Sequence, residues 1–175
     1  MTKHIMVFKK AIKKEHCKNI INILDRSKLG RPPNPSVASF YNVCNANPYK
    51  QKWGPDLFNC VAAYKKKHPF LNKGVWYWEI DSHCNYQKYK PNQYYALEHC
   101  ENGTKDYVRR MIGWMFYCNT VKKGGGTLFP QQKFKLKAEE GTVAIWPADW
   151  TYSHIGLVAP KEYKYIVTGW ASYNF

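Results

Sequence analysis

The sequence lacks any closely spaced pair of cysteines. Cys17, Cys44, Cys60, Cys84, Cys100 and Cys118 are at least 16 positions apart from one to the next. A zinc finger or ribbon, whose ligands come in pairs roughly two to four residues apart, is therefore excluded. Long apolar runs are also missing, and nothing approaches the ~20 residues of a membrane-spanning helix. The stretch from Met1 to Lys14 has neither the apolar h-region nor the small-residue cleavage site of a signal peptide. The expectation is a cytoplasmic protein with its thiols reduced and no membrane partner. Arginine is scarce, with Arg26, Arg31, Arg109 and Arg110 only, and acids are few, 12 against 27 Lys+Arg, for a net charge of +15. Dedicated polyanion readers lean on the bidentate arginine fork. A lysine-borne excess reads as solvated surface, and nucleic acid is not the expected partner.

What is present points to one domain over residues 1–175. Hydrophobic residues make up 45% of the chain, enough for a core, and the 17% aromatic content favours strands. Residues 11–26 read as an amphipathic helix, with Ile12, His16, Ile20 and Leu24 in one i,i+4 row and Cys17 and Ile21 beside it. Arg31-Pro32-Pro33-Asn34-Pro35 breaks regular structure, and the 31–54 segment is a candidate lid. A second helix is expected from Pro55-Asp56, carrying Leu57, Phe58, Val61 and Tyr64 inward and stopping before Pro69. From Gly74 onward the texture is that of strands, expected at 75–80, 85–89, 93–101, 107–119, 134–137, 142–146 and 163–170. The fold class is thus mainly β with N-terminal helices (α+β), the helices forming a buttress over about 1–73 and the strands a sandwich or barrel over about 74–175.

His99 and Glu101 are two apart in a strand-like run, which puts both side chains on one face. His154 follows the turn Trp146-Pro147-Ala148-Asp149-Trp150. Two imidazoles and a carboxylate are the facial triad of non-heme Fe(II) oxygenases. Spacing alone leaves open that His99 is a hydrogen-bonded strand residue and His154 a loop residue. Lys164, Ile166, Thr168 and Trp170 alternate onto one strand face, an odd place for a lone cation unless an anion meets it.

The flanking residues narrow the reading. Tyr89-Lys90-Pro91-Asn92-Gln93-Tyr94-Tyr95 precedes His99-Cys100-Glu101. Arg110, Gly125-Gly126-Thr127-Leu128-Phe129-Pro130, Gly141-Thr142-Val143-Ala144-Ile145-Trp146-Pro147, His154 and Lys164-Tyr165-Ile166-Val167-Thr168-Gly169-Trp170 follow in order. Over residues 75–172 this set resembles the prolyl-4-hydroxylase-like branch of the 2-oxoglutarate/Fe(II) dioxygenases, and most of all the small members found in phages and bacteria.

The resemblance implies a double-stranded β-helix (jelly-roll) core with Fe(II) held by His99, Glu101 and His154. It implies that Lys164, ten positions after the distal histidine, binds the far carboxylate of 2-oxoglutarate, with Thr127 and Tyr89 as further contacts. Trp170 matches a tryptophan that walls the site, and Arg110 an arginine facing its mouth, as a substrate contact. The implied reaction consumes O2 and 2-oxoglutarate, hydroxylates a C–H of a peptide or small molecule, peptidyl proline among the candidates, and releases succinate and CO2; ascorbate is a possible stimulant.

Several positions depart from the family pattern. Glu101 stands where the family usually has aspartate; it keeps a hard oxygen donor, so iron binding is expected to survive. Asn92 replaces a glycine and tolerates positive φ better than most residues. Ser172 replaces a histidine frequent in peptidyl-prolyl hydroxylases. Two rival readings are an oxidative nucleic-acid demethylase of the same superfamily and a non-catalytic jelly-roll binding module. The first would need arginines after the distal histidine, and none follows Arg110. The second would be favoured by loss of any triad residue or of Lys164, and all are present.

Overall fold

The computed structural model describes residues 4–26, 41–43, 47–73 and 77–174. Its elements run β1 (Met6–Phe8), α1 (Lys14–Arg26), β2 (Tyr41–Val43), α2 (Asn47–Lys67), β3 (Trp78–Tyr89), β4 (Arg110–Tyr117), β5 (Thr127–Phe129), β6 (Phe134–Leu136), β7 (Val143–Pro147), β8 (Ile155–Gly156) and β9 (Lys164–Tyr173), with 3-10 turns at Pro69–Asn72 and Trp150–Tyr152. All strand pairs are antiparallel. They form a large sheet in the order β1-β7-β4-β9-β3-β2 and a small one in the order β6-β5-β8.

Strand periodicity sorts the side chains of the large sheet into two cores. Ile112, Trp114 and Phe116 of β4, Val143 and Ile145 of β7, and Tyr165, Val167 and Ala171 of β9 point to one side. There they meet Cys17, Ile20 and Leu24 of α1 and Trp53, Leu57, Cys60, Val61 and Tyr64 of α2. The alternate residues, Met115 and Tyr117, Ala144 and Trp146, and Ile166, point the other way and pack with Phe129 and Leu136 of the small sheet. β4 and β7 therefore bury apolar residues on both faces, whereas the second face of β9 also carries Lys164 and Thr168. Gly169 of β9 is part of this packing: a Cβ there would sit 2.2 Å from Trp114 Cζ2, so the missing side chain makes room for the indole.

Some expectations are revised. α2 begins at Asn47, eight residues before Pro55, which lies inside the helix. Phe58 is 55% exposed and does not join the core, whereas Trp53 and Cys60 do, because the buried stripe runs Trp53, Leu57, Cys60, Val61, Tyr64 at three- and four-residue steps. The expected strands 75–80, whose first two residues lie outside the described residues, and 85–89 fall on one strand, Trp78–Tyr89, with an irregularity between Ile80 and Cys84. The expected helical segment 1–73 also supplies β1 and β2, both at the edges of the large sheet. Most of the 31–54 segment, Arg31-Pro32-Pro33-Asn34-Pro35 and Cys44 lie outside the described residues.

Candidate functional site

The expected strand 93–101 is turns and extended chain, with a single antiparallel bridge between His99 and His154. Asn92 opens it with φ 68°, the left-handed backbone that asparagine tolerates. In this register the 3-10 turn Trp150–Tyr152 ends the pairing at Glu101, and on the other side Gly156 N–H to Tyr95 O at 3.0 Å and Asn92 N–H to Ala159 O at 2.8 Å are isolated bonds that form no ladder. One bridge is nonetheless enough to align the polar set. His99 N–H donates to His154 O at 3.1 Å, His154 N–H returns a bond to His99 O at 2.9 Å, and Glu101 N–H donates to Ala148 O at 2.9 Å.

These backbone bonds bring His99, Glu101 and His154 together, with one possible ligand atom from each within 4.8 Å of the others. The carbonyl of Leu97 faces His99 Nδ1 at 2.9 Å, and that of Tyr152 faces His154 Nδ1 at 3.1 Å. A carbonyl only accepts, so each Nδ1 carries the proton and each Nε2 is left to present its lone pair. His154 Nε2 lies 3.2 Å from Glu101 Oε1. The other carboxylate oxygen, Oε2, accepts from Trp170 Nε1 at 2.5 Å. Tyr95 sets its ring 4.5 Å from that of His99 at a tilt of 50°, and Trp146 stands edge-on to His154 at 5.0 Å.

The electrostatics suit a cation. Burial pushes the His99 imidazole below its ordinary pKa, aided by His154 and opposed by Glu101. Burial alone would raise the Glu101 carboxyl; the adjoining His154, the nearby His99 and the Trp170 bond outweigh it and hold the carboxyl at about 2. A His99 that gives up its proton readily and an ionised Glu101 are in the states that bind metal. The two-histidine, one-carboxylate donor set fits a divalent iron with open positions.

The triad lines a cavity of about 370 Å³. Gln87, Tyr89, Thr127, Ile166 and Thr168 line it too. Lys164, only 3% exposed, projects its ammonium 4.4 Å from the Tyr89 ring centroid. Its one hydrogen bond is a long one, 3.4 Å to Leu157 O, and among the described residues no carboxylate pairs with it. Burial pulls its pKa down to about 8. Thr127 shares a 2.9 Å hydrogen bond with Tyr117. Tyr89 hydroxyl donates to Gln87 Oε1 at 2.6 Å, and Gln87 Nε2 donates to Thr168 Oγ1 at 3.1 Å. A buried ammonium that no described carboxylate meets is costly unless an anion joins it.

Trp170 and Arg110 also line the cavity. The guanidinium of Arg110 lies 3.6 Å from the Trp170 ring centroid and 3.8 Å from that of Tyr107, and Nη1 donates to Glu101 O at 3.2 Å. Every candidate residue except Lys164 lines the cavity directly, and Lys164 lies against the ring of Tyr89, which does. Sequence reasoning missed Gln87, Tyr117, Tyr95 and Gly113. Asn85, Gln87 and Tyr89 form a polar period-two run in β3, a signal that could have placed Gln87 on the cavity face.

No family model and no curated protein matches this chain. Solved structures do. A viral collagen prolyl hydroxylase from Paramecium Bursaria Chlorella virus-1, in its 2OG complex, superposes with a TM-score of 0.72 at 17% identity, covering 96% of this chain and 95% of that one. A Pseudomonas putida prolyl-4-hydroxylase gives 0.73 at 12% identity over 98% and 94%. A Trichoplax adhaerens prolyl hydroxylase, in complex with a hypoxia inducible factor oxygen degradation domain peptide fragment, gives 0.71 at 13% over 98% and 84%. Over nearly its whole length, this chain has the fold of the prolyl hydroxylases.

Proposed function

We propose that this chain is an Fe(II)- and 2-oxoglutarate-dependent dioxygenase that hydroxylates a C–H bond of a peptide substrate and releases succinate and CO2. In this reading residues 1–175 form one domain, and the two sheets are the halves of a double-stranded β-helix. The observation that carries the proposal is the pairing of a His99–Glu101–His154 cluster with a buried Lys164 that no described carboxylate meets and whose ammonium lies against Tyr89, a wall of the same cavity. A metal-only or anion-only site would need one of these, not both.

Fe(II), when bound, supplies the activation of O2 coupled to decarboxylation of 2-oxoglutarate. The chain's own residues position and exclude. His99 and His154, fixed through Nδ1 by backbone carbonyls, offer Nε2 donors; Glu101 adds the anionic oxygen. Lys164 and Thr127 receive the distal carboxylate of 2-oxoglutarate, with the Tyr89 ring as the wall beneath the ammonium. Met115, Ile166 and Trp146 line the cavity with apolar surface and keep bulk water from the reacting centre. Arg110 and Trp170 stand at the mouth, where a substrate would enter. A peptide is favoured because the Trichoplax relative is bound to one. Proline as the target rests on the family resemblance, with Ser172 the departure from its pattern.

The test is succinate formation from 2-oxoglutarate by Fe(II)-loaded protein in air, with pools of peptides as substrates. Formation is expected, and it should vanish in His154→Ala and Glu101→Ala. Undiminished succinate in His154→Ala would refute the assignment.

A further inference from the structure

Glu101 is one methylene longer than the aspartate of the resembling family, and its surroundings account for the extra length. Gly113 of β4 lies against it: a Cβ there would be 3.0 Å from Glu101 Cγ and 2.9 Å from Trp146 Cε2. Any side chain at 113 would press on the Glu101 side chain and the Trp146 ring, so Gly113 leaves room for both. At the other end of the side chain, the Trp170 N–H takes Oε2 and leaves Oε1 beside His154 Nε2 at 3.2 Å.

Trp170 is itself held on several sides. It is the cross-strand partner of Gly113, and its carbonyl accepts from Trp114 Nε1 at 3.1 Å. The Arg110 guanidinium covers its ring and is tied in turn to the Glu101 carbonyl. An aspartate at 101 would draw the carboxylate back by one C–C bond, about 1.5 Å, which is more than a hydrogen bond tolerates. The indole N–H would then lose its partner.

We propose that the site is built for glutamate: its extra methylene carries the carboxylate to the Trp170 N–H, and Trp170 is the positioning residue that turns one carboxylate oxygen toward the metal. The proposal rests on the metal-centre reading above. It departs from the simple view that any hard carboxylate at 101 serves equally.

The experiment titrates Co(II) anaerobically into the full chain and follows its ligand-field absorption. The proteins are the parent, Trp170→Phe, Glu101→Asp and the double variant. Trp170→Phe keeps an aromatic ring under Arg110 and removes the N–H. Lost outer-shell partners cost about 10–100-fold in metal affinity, and that is the expected rise in Kd for each single variant. The double variant should bind no more weakly than Glu101→Asp, because the bond is already broken there; two independent structural effects would multiply instead. Parent-like affinity in either single variant, or multiplicative losses in the double, would overturn the proposal. Should Trp170→Phe fail to fold, as judged by circular dichroism, the Glu101→Asp titration decides alone. A parent protein that takes up no Co(II) would refute the metal centre itself, which separates that failure from this one.

Discussion

Lys164 offers the sharpest perturbation, because one residue carries opposite expectations for stability and for ligand binding. Its ammonium is 3% exposed with no described carboxylate partner, and burial lowers its pKa from 10.5 to about 8. At ~1.36 kcal/mol per tenfold change in proton affinity, that drop corresponds to about 3 kcal/mol. The sign follows from which state holds the proton more tightly. The unfolded chain does, so the lysine subtracts stability in full below about pH 8, and the loss fades as pH rises toward 10.5. Lys164→Met keeps a long apolar stem and removes the charge. It should raise the ligand-free melting temperature at pH 7 by about 3–10 °C, and the gain should vanish near pH 10.5. The same substitution should weaken 2-oxoglutarate binding. Truncating one partner of a buried charge pair costs about 2–5 kcal/mol, and ~1.4 kcal/mol is tenfold, so the Kd should rise at least ~30-fold. Calorimetry at the two pH values and anaerobic titration of the Fe(II)-loaded protein read both effects. A variant that binds 2-oxoglutarate like its parent, or melts lower at pH 7, would refute the reasoning.

Further outcomes follow from the same packing. In the parent, 2-oxoglutarate affinity should fall about tenfold per pH unit above pH 8, and binding near pH 8 should take up a proton, seen as a buffer-dependent heat. Gln87→Leu should cost about 1–3 kcal/mol in denaturant unfolding, because it strands the buried Tyr89 hydroxyl and loses the bond to Thr168. Gly169→Ala should destabilise by more than ~2 kcal/mol in the same assay, since the new methyl would fall 2.2 Å from the Trp114 ring in a core that cannot yield.

The sequence carried the site further than it carried the secondary structure. His99, Glu101, His154 and Lys164 could be selected because charge and metal-ligand chemistry are properties of single residues, and their order along the chain is legible. The strand β9 was equally plain, as its alternation of Lys164, Ile166, Thr168 and Trp170 is local. The 93–101 segment misled for the opposite reason. Tyr94, Tyr95 and Leu97 have strand-like character, yet the chain they face, 156–159, exchanges only isolated bonds with this segment, Gly156 N–H to Tyr95 O and Asn92 N–H to Ala159 O, and the Trp150–Tyr152 turn ends the pairing at Glu101. Pairing depends on the partner, which local pattern does not report. The same holds for β5 and β8, too short to show a period, and for β1, whose place beside β7 is set by tertiary contact. Pro55 read as a helix start because proline is common there, but on the exposed side of α2 it is accommodated within the helix. The role of Gly113 was invisible, since only the approach of Glu101 and Trp146 gives it meaning.

The central claim is that iron and 2-oxoglutarate share one cavity. Anaerobic addition of 2-oxoglutarate to the Fe(II)-loaded protein tests it most directly, through the weak metal-to-ligand charge-transfer band that chelation produces. The band should appear and saturate at one equivalent of iron per chain in the parent, and be absent in His154→Ala. A parent protein that shows no band, or a His154→Ala variant that keeps it, would contradict the account.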